Sequence, residues 1–130
     1  MTDADLDAAR ALREAIYVVV HDRIAGRGLT PGAVSTVNAL AAHRDPAPCL
    51  TADGRLGFAA DAPTGAALAR VARDAIEVLT DPPAQRLREC AAPDCAFLFL
   101  DTSRPGQRRW CAMNRCGNRQ HIREHRQRHR

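Results

Sequence analysis

The sequence predicts a mainly α protein with a small β-hairpin, in which a helical N-terminal domain precedes a small cysteine-bearing finger. Three observations carry this expectation. Of 130 residues 45% are apolar, yet only five are aromatic: Tyr17, Phe58, Phe97, Phe99 and Trp110. A core must then be built from Ala, Val, Leu and Ile, which suits packed helices. Apolar residues recur at helical spacing through the first two thirds of the chain. The last third holds two cysteine pairs of equal spacing.

Residues 3–25 read as the first helix. Leu12, Ile16, Val20 and Ile24 recur every four residues, flanked by Ala9 and Val19. Asp3, Asp5 and Asp7 lie where the helix dipole favours acids, and Gly26 and Gly28 end the segment. Thr30 as cap and Pro31 at the first helical position begin a second helix. It runs to about His43 and buries Val34, Val37 and Ala41. Residues 45–60 read as a loop and short hairpin. Pro46 and Pro48 break the helix, and the turn Ala52-Asp53-Gly54-Arg55 joins Cys49-Leu50 to Leu56-Gly57-Phe58. Asp61 and Pro63 start a third helix with Leu68, Val71, Ala75 and Leu79 on its inner face. Asp81-Pro82-Pro83 stops it, so a domain boundary is expected between residues 1–83 and 84–130. Nothing in residues 1–85 has the pattern of a catalytic site.

The spacing Cys90-x4-Cys95, fifteen residues, Cys111-x4-Cys116 matches a four-thiolate structural zinc site. Thiolates are soft ligands that suit Zn2+. Ala96 to Leu100 reads as a strand with Phe97 and Phe99 on one face. Ser103, Pro105 and Gly106 mark a turn, Arg108 to Cys111 a return strand, and Gly117 onward a helix. Two ligands before a hairpin, one at its end and one at a helix start describe a treble-clef-like zinc finger. So small a module has little core, so metal would supply much of its folding energy. Residues 1–83 are expected to fold without metal and residues 84–130 are not. The alternative is a set of ordinary buried or free cysteines. Cys49 lies outside the pattern and reads as a small buried hydrophobe. Trp110 is expected to cover the site and pack the hairpin. His121, His125 and His129 share a helix face and read as solvated or turned to nucleic acid, with spare metal ligands as the alternative.

Charge is divided unevenly. All 19 basic residues are arginine. Residues 1–85 hold eight arginines and eleven acids, a net of −3, whereas residues 86–130 hold eleven and four, a net of +7. Arg115, Arg119, Arg123, Arg126 and Arg130 form one stripe on the final helix, and Arg104, Arg108 and Arg109 add charge on the hairpin. Such a surface suits phosphate, and guanidinium also pairs bidentately with guanine edges. The start of the chain is acidic where a secretory signal would be positive, and the longest strongly apolar run, Ile16 to Val20, cannot span a bilayer. A cytoplasmic protein with no membrane partner is expected, where clustered cysteines read as metal ligands before disulfides.

The stretch Arg88-x-Cys90-x4-Cys95-x-x-x-Phe99-x-Asp101-x-Ser103-Arg104, followed by Arg109-Trp110-Cys111-x-Met113-x-x-Cys116-Gly117-Asn118-Arg119, resembles the CGNR zinc finger, named for its Cys-Gly-Asn-Arg tetrapeptide. The Ala- and Arg-rich helical region before it is similar to the domain usually found upstream, described as a putative stress-induced transcription regulator. The resemblance implies a zinc-containing, DNA-binding bacterial regulator, with Cys90, Cys95, Cys111 and Cys116 as metal ligands. Members of that family usually carry, ahead of the first helix, a segment with a Phe-x-Asn-Thr-like motif. Here the chain starts directly at the helix, so a sensing function through a pocket built from such a segment is not expected.

The expected function is a DNA-binding transcriptional regulator and not an enzyme, since no nucleophile–base pair or open metal position is visible. A single finger reads few base pairs, so a homodimer through the N-terminal helices is expected on double-stranded DNA. Asn118 and Arg119, at the helix start, are the candidates for base edges, with Arg119 equally suited to bracing the zinc knuckle. The alternatives are a zinc-stabilised protein-interaction adaptor and a small ligand-binding protein.

Overall fold

A computed structural model describes residues 2–58, 63–80 and 82–129, with backbone alone at 82 and 83. Asp61, Asp81 and Arg130, each given a role above, lie outside the described residues. Thr2 opens α1 (Asp3–Ile24): its hydroxyl accepts the Asp5 N–H at 3.2 Å, and the Asp5 carboxylate accepts the Thr2 N–H at 2.7 Å. This reciprocal cap satisfies two donors that a helix start leaves free. Gly26 takes a φ of +65° just past the helix end, where a side chain would be strained. Asp22, near that end, is buried and holds the next helix. It accepts the Thr30 N–H at 2.9 Å and the Thr30 hydroxyl at 2.7 Å, and takes Arg27 as its ion pair. Thr30 does occupy the cap position of α2 (Pro31–Ala41), but its hydroxyl serves Asp22 rather than its own helix.

The second helix stops at Ala41 rather than near His43, because α3 (Thr64–Thr80) captures its end. Arg73 donates to the Ala41 carbonyl at 2.9 Å and the His43 carbonyl at 2.7 Å, and pairs with Asp45 at 2.7 Å. Within α3 the buried residues are Ala66, Ala69 and Ala72. The expectation for Val71 is corrected: it is 50% exposed. Packing runs through Ala69, Ala72 and Ile76, and Val71 stands about 100° around the helix from Ala72. Leu12, Ala15, Val37 and Ala72 form the centre of the three-helix packing, with Ile16, Leu40, Leu68 and Ile76 around them.

Between α2 and α3 lies the first hairpin, β1 (Pro48–Leu50) paired antiparallel with β2 (Leu56–Phe58). Its cross-strand pair Leu50 and Leu56 is 81% and 75% exposed. Cys49, expected inside, is exposed as well. Cys49 pairs across the ladder with Gly57 in a strand whose three residues are all exposed, and among the described residues the thiol enters no core.

A turn of tight helix at Pro82–Arg86 leads into β3 (Leu87–Glu89), which pairs antiparallel with β4 (Leu98–Leu100). This corrects the expected partner of β4: residues 108–111 form no strand. Leu87–Glu89 occupy the edge of β4, and the chain beyond β4 is drawn into a closed loop by Asp101. The Ala91 N–H donates to the Arg109 carbonyl at 2.8 Å and the Cys111 N–H to Cys90 Sγ at 3.5 Å, and these bonds tie 108–111 to the first cysteine segment. The side chains alternate as a strand requires. Leu87, Leu98 and Leu100 turn inward against Val20, Ile24, Leu79 and Ala84. A second patch of core therefore spans the helices and the hairpin. Among the described residues no helix is long and apolar enough to cross a membrane.

Candidate metal centre

The loop joining β3 to β4 is the first half of the site. Cys90 continues β3 and donates its N–H to the Phe97 carbonyl at 2.9 Å, closing the loop at its base. Inside it, the Cys95 N–H meets the Ala92 carbonyl at 3.0 Å, a turn that brings both sulfurs to one side. The first cysteine pair thus sits within the hairpin connection, not ahead of the hairpin. The second half comes from Cys111 and from a wide helical turn at Met113–Gly117, in which the Cys116 and Gly117 N–H groups share the Ala112 carbonyl. That turn runs directly into α4 (Asn118–Arg128), so the helix begins four residues earlier than the glycine suggests.

The four Sγ atoms of Cys90, Cys95, Cys111 and Cys116 all lie within 4.8 Å of one another. Cys95 and Cys111 are 3.9 Å apart and Cys111 and Cys116 3.7 Å. A tetrahedron with metal–sulfur bonds of about 2.3 Å has edges of about 3.8 Å, so the donor set fits a zinc ion by chemistry and by spacing. Cys90 and Cys116 are buried and the other two half-buried. Burial alone would raise the Cys90 thiol, but the N–H groups of Cys111 and Ala92 face its sulfur and bring it down to about 7. Burial and the neighbouring sulfurs push Cys111 up to about 12. Four thiols this close cannot all ionise in isolation; a divalent cation among them removes that conflict.

Trp110 packs with Cys90, Ala92, Cys116 and Cys111, and its ring meets His121 edge-on at 5.2 Å. It thus covers the cluster from one side. His121, His125 and His129 are exposed and take no part in the sulfur group.

Of the arginines on α4, two are tied to Asp94. Arg119 and Arg123 each reach the same Asp94 carboxylate oxygen at 3.2 Å, and Arg119 also donates to Cys116 Sγ at 3.5 Å. Asp94 lies between the first two cysteines, so this clamp joins the knuckle to the helix. Asn118 is exposed at the first position of α4. Arg104, Arg115 and Arg126 are exposed. Arg108 lies over the Phe99 ring and donates to the Cys111 carbonyl, and Arg109 lies over Trp110.

Two residues that sequence reasoning assigned no role prove central. Asp94 carried no signal, because its partners stand 25 and 29 positions away. Asp101 is wholly buried. It accepts the Ser103 N–H at 2.9 Å, the Ser103 hydroxyl at 2.6 Å and the Arg108 N–H at 2.8 Å. Those bonds hold its carboxyl at about 2, well below the ordinary carboxylate range. The Asp-x-Ser pattern is an Asx-turn signal and was legible in principle.

Residues 86–129 match the CGNR zinc finger, and residues 1–82 match the family described as putative stress-induced transcription regulator. No curated protein matches the chain. With its helical part matched from the first residue and its cysteines gathered in one cluster, the chain belongs to the putative stress-induced transcription regulator family and carries a C-terminal CGNR zinc finger.

Proposed function

We propose that this protein is a cytoplasmic transcriptional regulator that binds double-stranded DNA through its finger, with one Zn2+ held by Cys90, Cys95, Cys111 and Cys116. The observation that carries the reading is the basic balance of residues 86–130, a net of +7, with four of its eleven arginines on α4, a helix with no buried residue of its own. Zinc supplies structure here: four thiolates fill its tetrahedron and leave no position for a substrate. Accordingly no enzymatic role is assigned. The chain's own residues do the remaining work. The Cys111 N–H and the Arg119 guanidinium, each 3.5 Å from a sulfur, offset thiolate charge. Asp94 fixes the course of α4. Arg104, Arg108, Arg109, Arg115 and Arg126 present charge outward, with Asn118, Arg119, Arg123 and Arg130 completing the DNA-facing set. A pair of chains joined through the N-terminal helices gives the footprint that a specific site requires.

Fluorescence anisotropy with a labelled duplex, run across salt concentrations on the zinc-loaded protein, tests the reading. With about five phosphates contacted, log K falls against log salt with a slope of roughly −4 to −5. Replacing Arg115 with Ala should reduce that slope by about one. A metallated finger that binds no duplex at low salt overturns the proposal. The adaptor reading would then stand, favoured by the uncovered Leu50 and Leu56 of the first hairpin.

A further inference from the structure

On one side the sulfur cluster itself opens into a concavity, walled by Cys95, Cys111 and Cys116 of the metal centre and continued outward by Asp94, Phe97, Arg115 and Arg119. Its chemistry is unusual for an exposed region of so polar a module. Phe97, just ahead of β4, is 65% exposed, although the apolar residues of β4 are covered: Leu98 and Leu100 face the helical core, and Phe99 lies under Arg108. The ring is not on a loose loop. Its own carbonyl accepts the Cys90 N–H at 2.9 Å, at the base of the knuckle. The carboxylate in the lining is Asp94, and its charge is matched by Arg119 and Arg123; the three cysteines of the lining face the metal. What remains is an exposed aromatic face on an anchored backbone and the exposed guanidinium of Arg115, which has no partner among the described residues.

We infer that this concavity takes one unstacked nucleobase of the bound DNA, stacked on Phe97, with the adjoining phosphate on Arg115. The inference rests on the DNA-binding reading and names the part of the nucleic acid that the site accepts. An aromatic face offers stacking to any base, and an adjacent cation holds the backbone; this pairing is what single-strand sites use. A base inside a duplex must first leave its stack, which costs a few kcal/mol, so a single strand should occupy this site more readily than an intact duplex.

The test measures binding of a labelled single strand and of the same sequence as a duplex. The proteins are wild type, Phe97→Ala, Phe97→Leu, Phe97→Tyr and Arg115→Ala, each checked for full metal content. Phe97→Ala and Phe97→Leu should weaken single-strand binding by roughly 10-fold to 100-fold, and Phe97→Tyr should restore it. The salt slope should stay constant in the Phe97 series and flatten in Arg115→Ala, since stacking releases no counterions. If wild type binds DNA and Phe97→Leu or Phe97→Ala binds as well as wild type, the base site is overturned and the DNA reading survives. Loss of metal in every Phe97 variant assigns the ring to the fold and likewise overturns it. If metallated wild type binds neither form at low salt, the DNA reading fails and this site with it.

Discussion

Asp101 shows how one buried charge shapes the finger. Its carboxylate is enclosed by Ser103 and Arg108, and this network closes the loop between β4 and Cys111. Replacement by Asn removes the charge and turns one acceptor into a donor facing the Arg108 or Ser103 N–H. The Asp101→Asn variant should therefore unfold at lower temperature and retain zinc less well, measured by calorimetry and metal titration. The pH dependence follows from the sign of the shift. The carboxyl sits at about 2 in the folded chain, below its ordinary value of 3.8. Its stabilisation is thus fully present above pH 4 or so and is lost as pH falls through about 2. The stability gap between wild type and Asp101→Asn should shrink over that window; a gap independent of pH would show that the network is not ionic. The four cysteines were legible in the sequence because their spacing is local and paired. The role of Asp94 was not, because an ion pair across 25 residues leaves no periodic trace.

The helices were the most readable elements, since a stripe such as Leu12, Ile16 and Val20 imposes its own period. Their faces were read less well wherever small residues do the packing. In α3 the contact line is made of alanines, and Ala69 and Ala72 are wholly buried, so the larger Val71 drew attention to the wrong side. Close approach of α1 and α2 depends on the absence of bulk at Ala72. Ala72→Leu should destabilise the helical part by ~1–3 kcal/mol in urea unfolding, whereas Val71→Ala should change stability far less. Equal effects would mean that α3 is rotated from the orientation described. Strand pairing was misjudged for a related reason. Leu87–Glu89 is too short to show alternation, yet its backbone takes the edge of β4 that 108–111 was expected to fill. For α4, which buries no residue, the Asp94 clamp and the Trp110–His121 contact are what fix its course. In Asp94→Asn the amides of 118–128 should exchange faster with zinc content unchanged.

Across the whole molecule, the expected boundary at Pro82-Pro83 falls between two family matches and beside a shared patch of core. The two family matches meet there, but Val20 of α1 and Leu79 of α3 share a buried patch with Ala84, Leu87, Leu98 and Leu100. Pattern reading could not see this, because each half shows its own periodicity and the contact between them shows none. Chelation of zinc should therefore raise hydrogen exchange not only in the knuckle and α4 but also in the last two turns of α1. The packing of Leu12, Val37 and Ala72 should stay protected. Exchange confined to residues 90–128 would mean that the hairpin stays seated without metal. Leu87→Ala, on the shared patch, should cost about 2–5 kcal/mol and weaken zinc retention together with helical stability. The same patch governs what can be built from this protein. A chimera that transplants residues 84–130 onto a foreign domain as a cassette would carry three leucines with nothing to cover them. A graft meant to stay soluble must bring the Val20 and Ile24 face of α1 along, or repaint Leu87, Leu98 and Leu100 with polar residues.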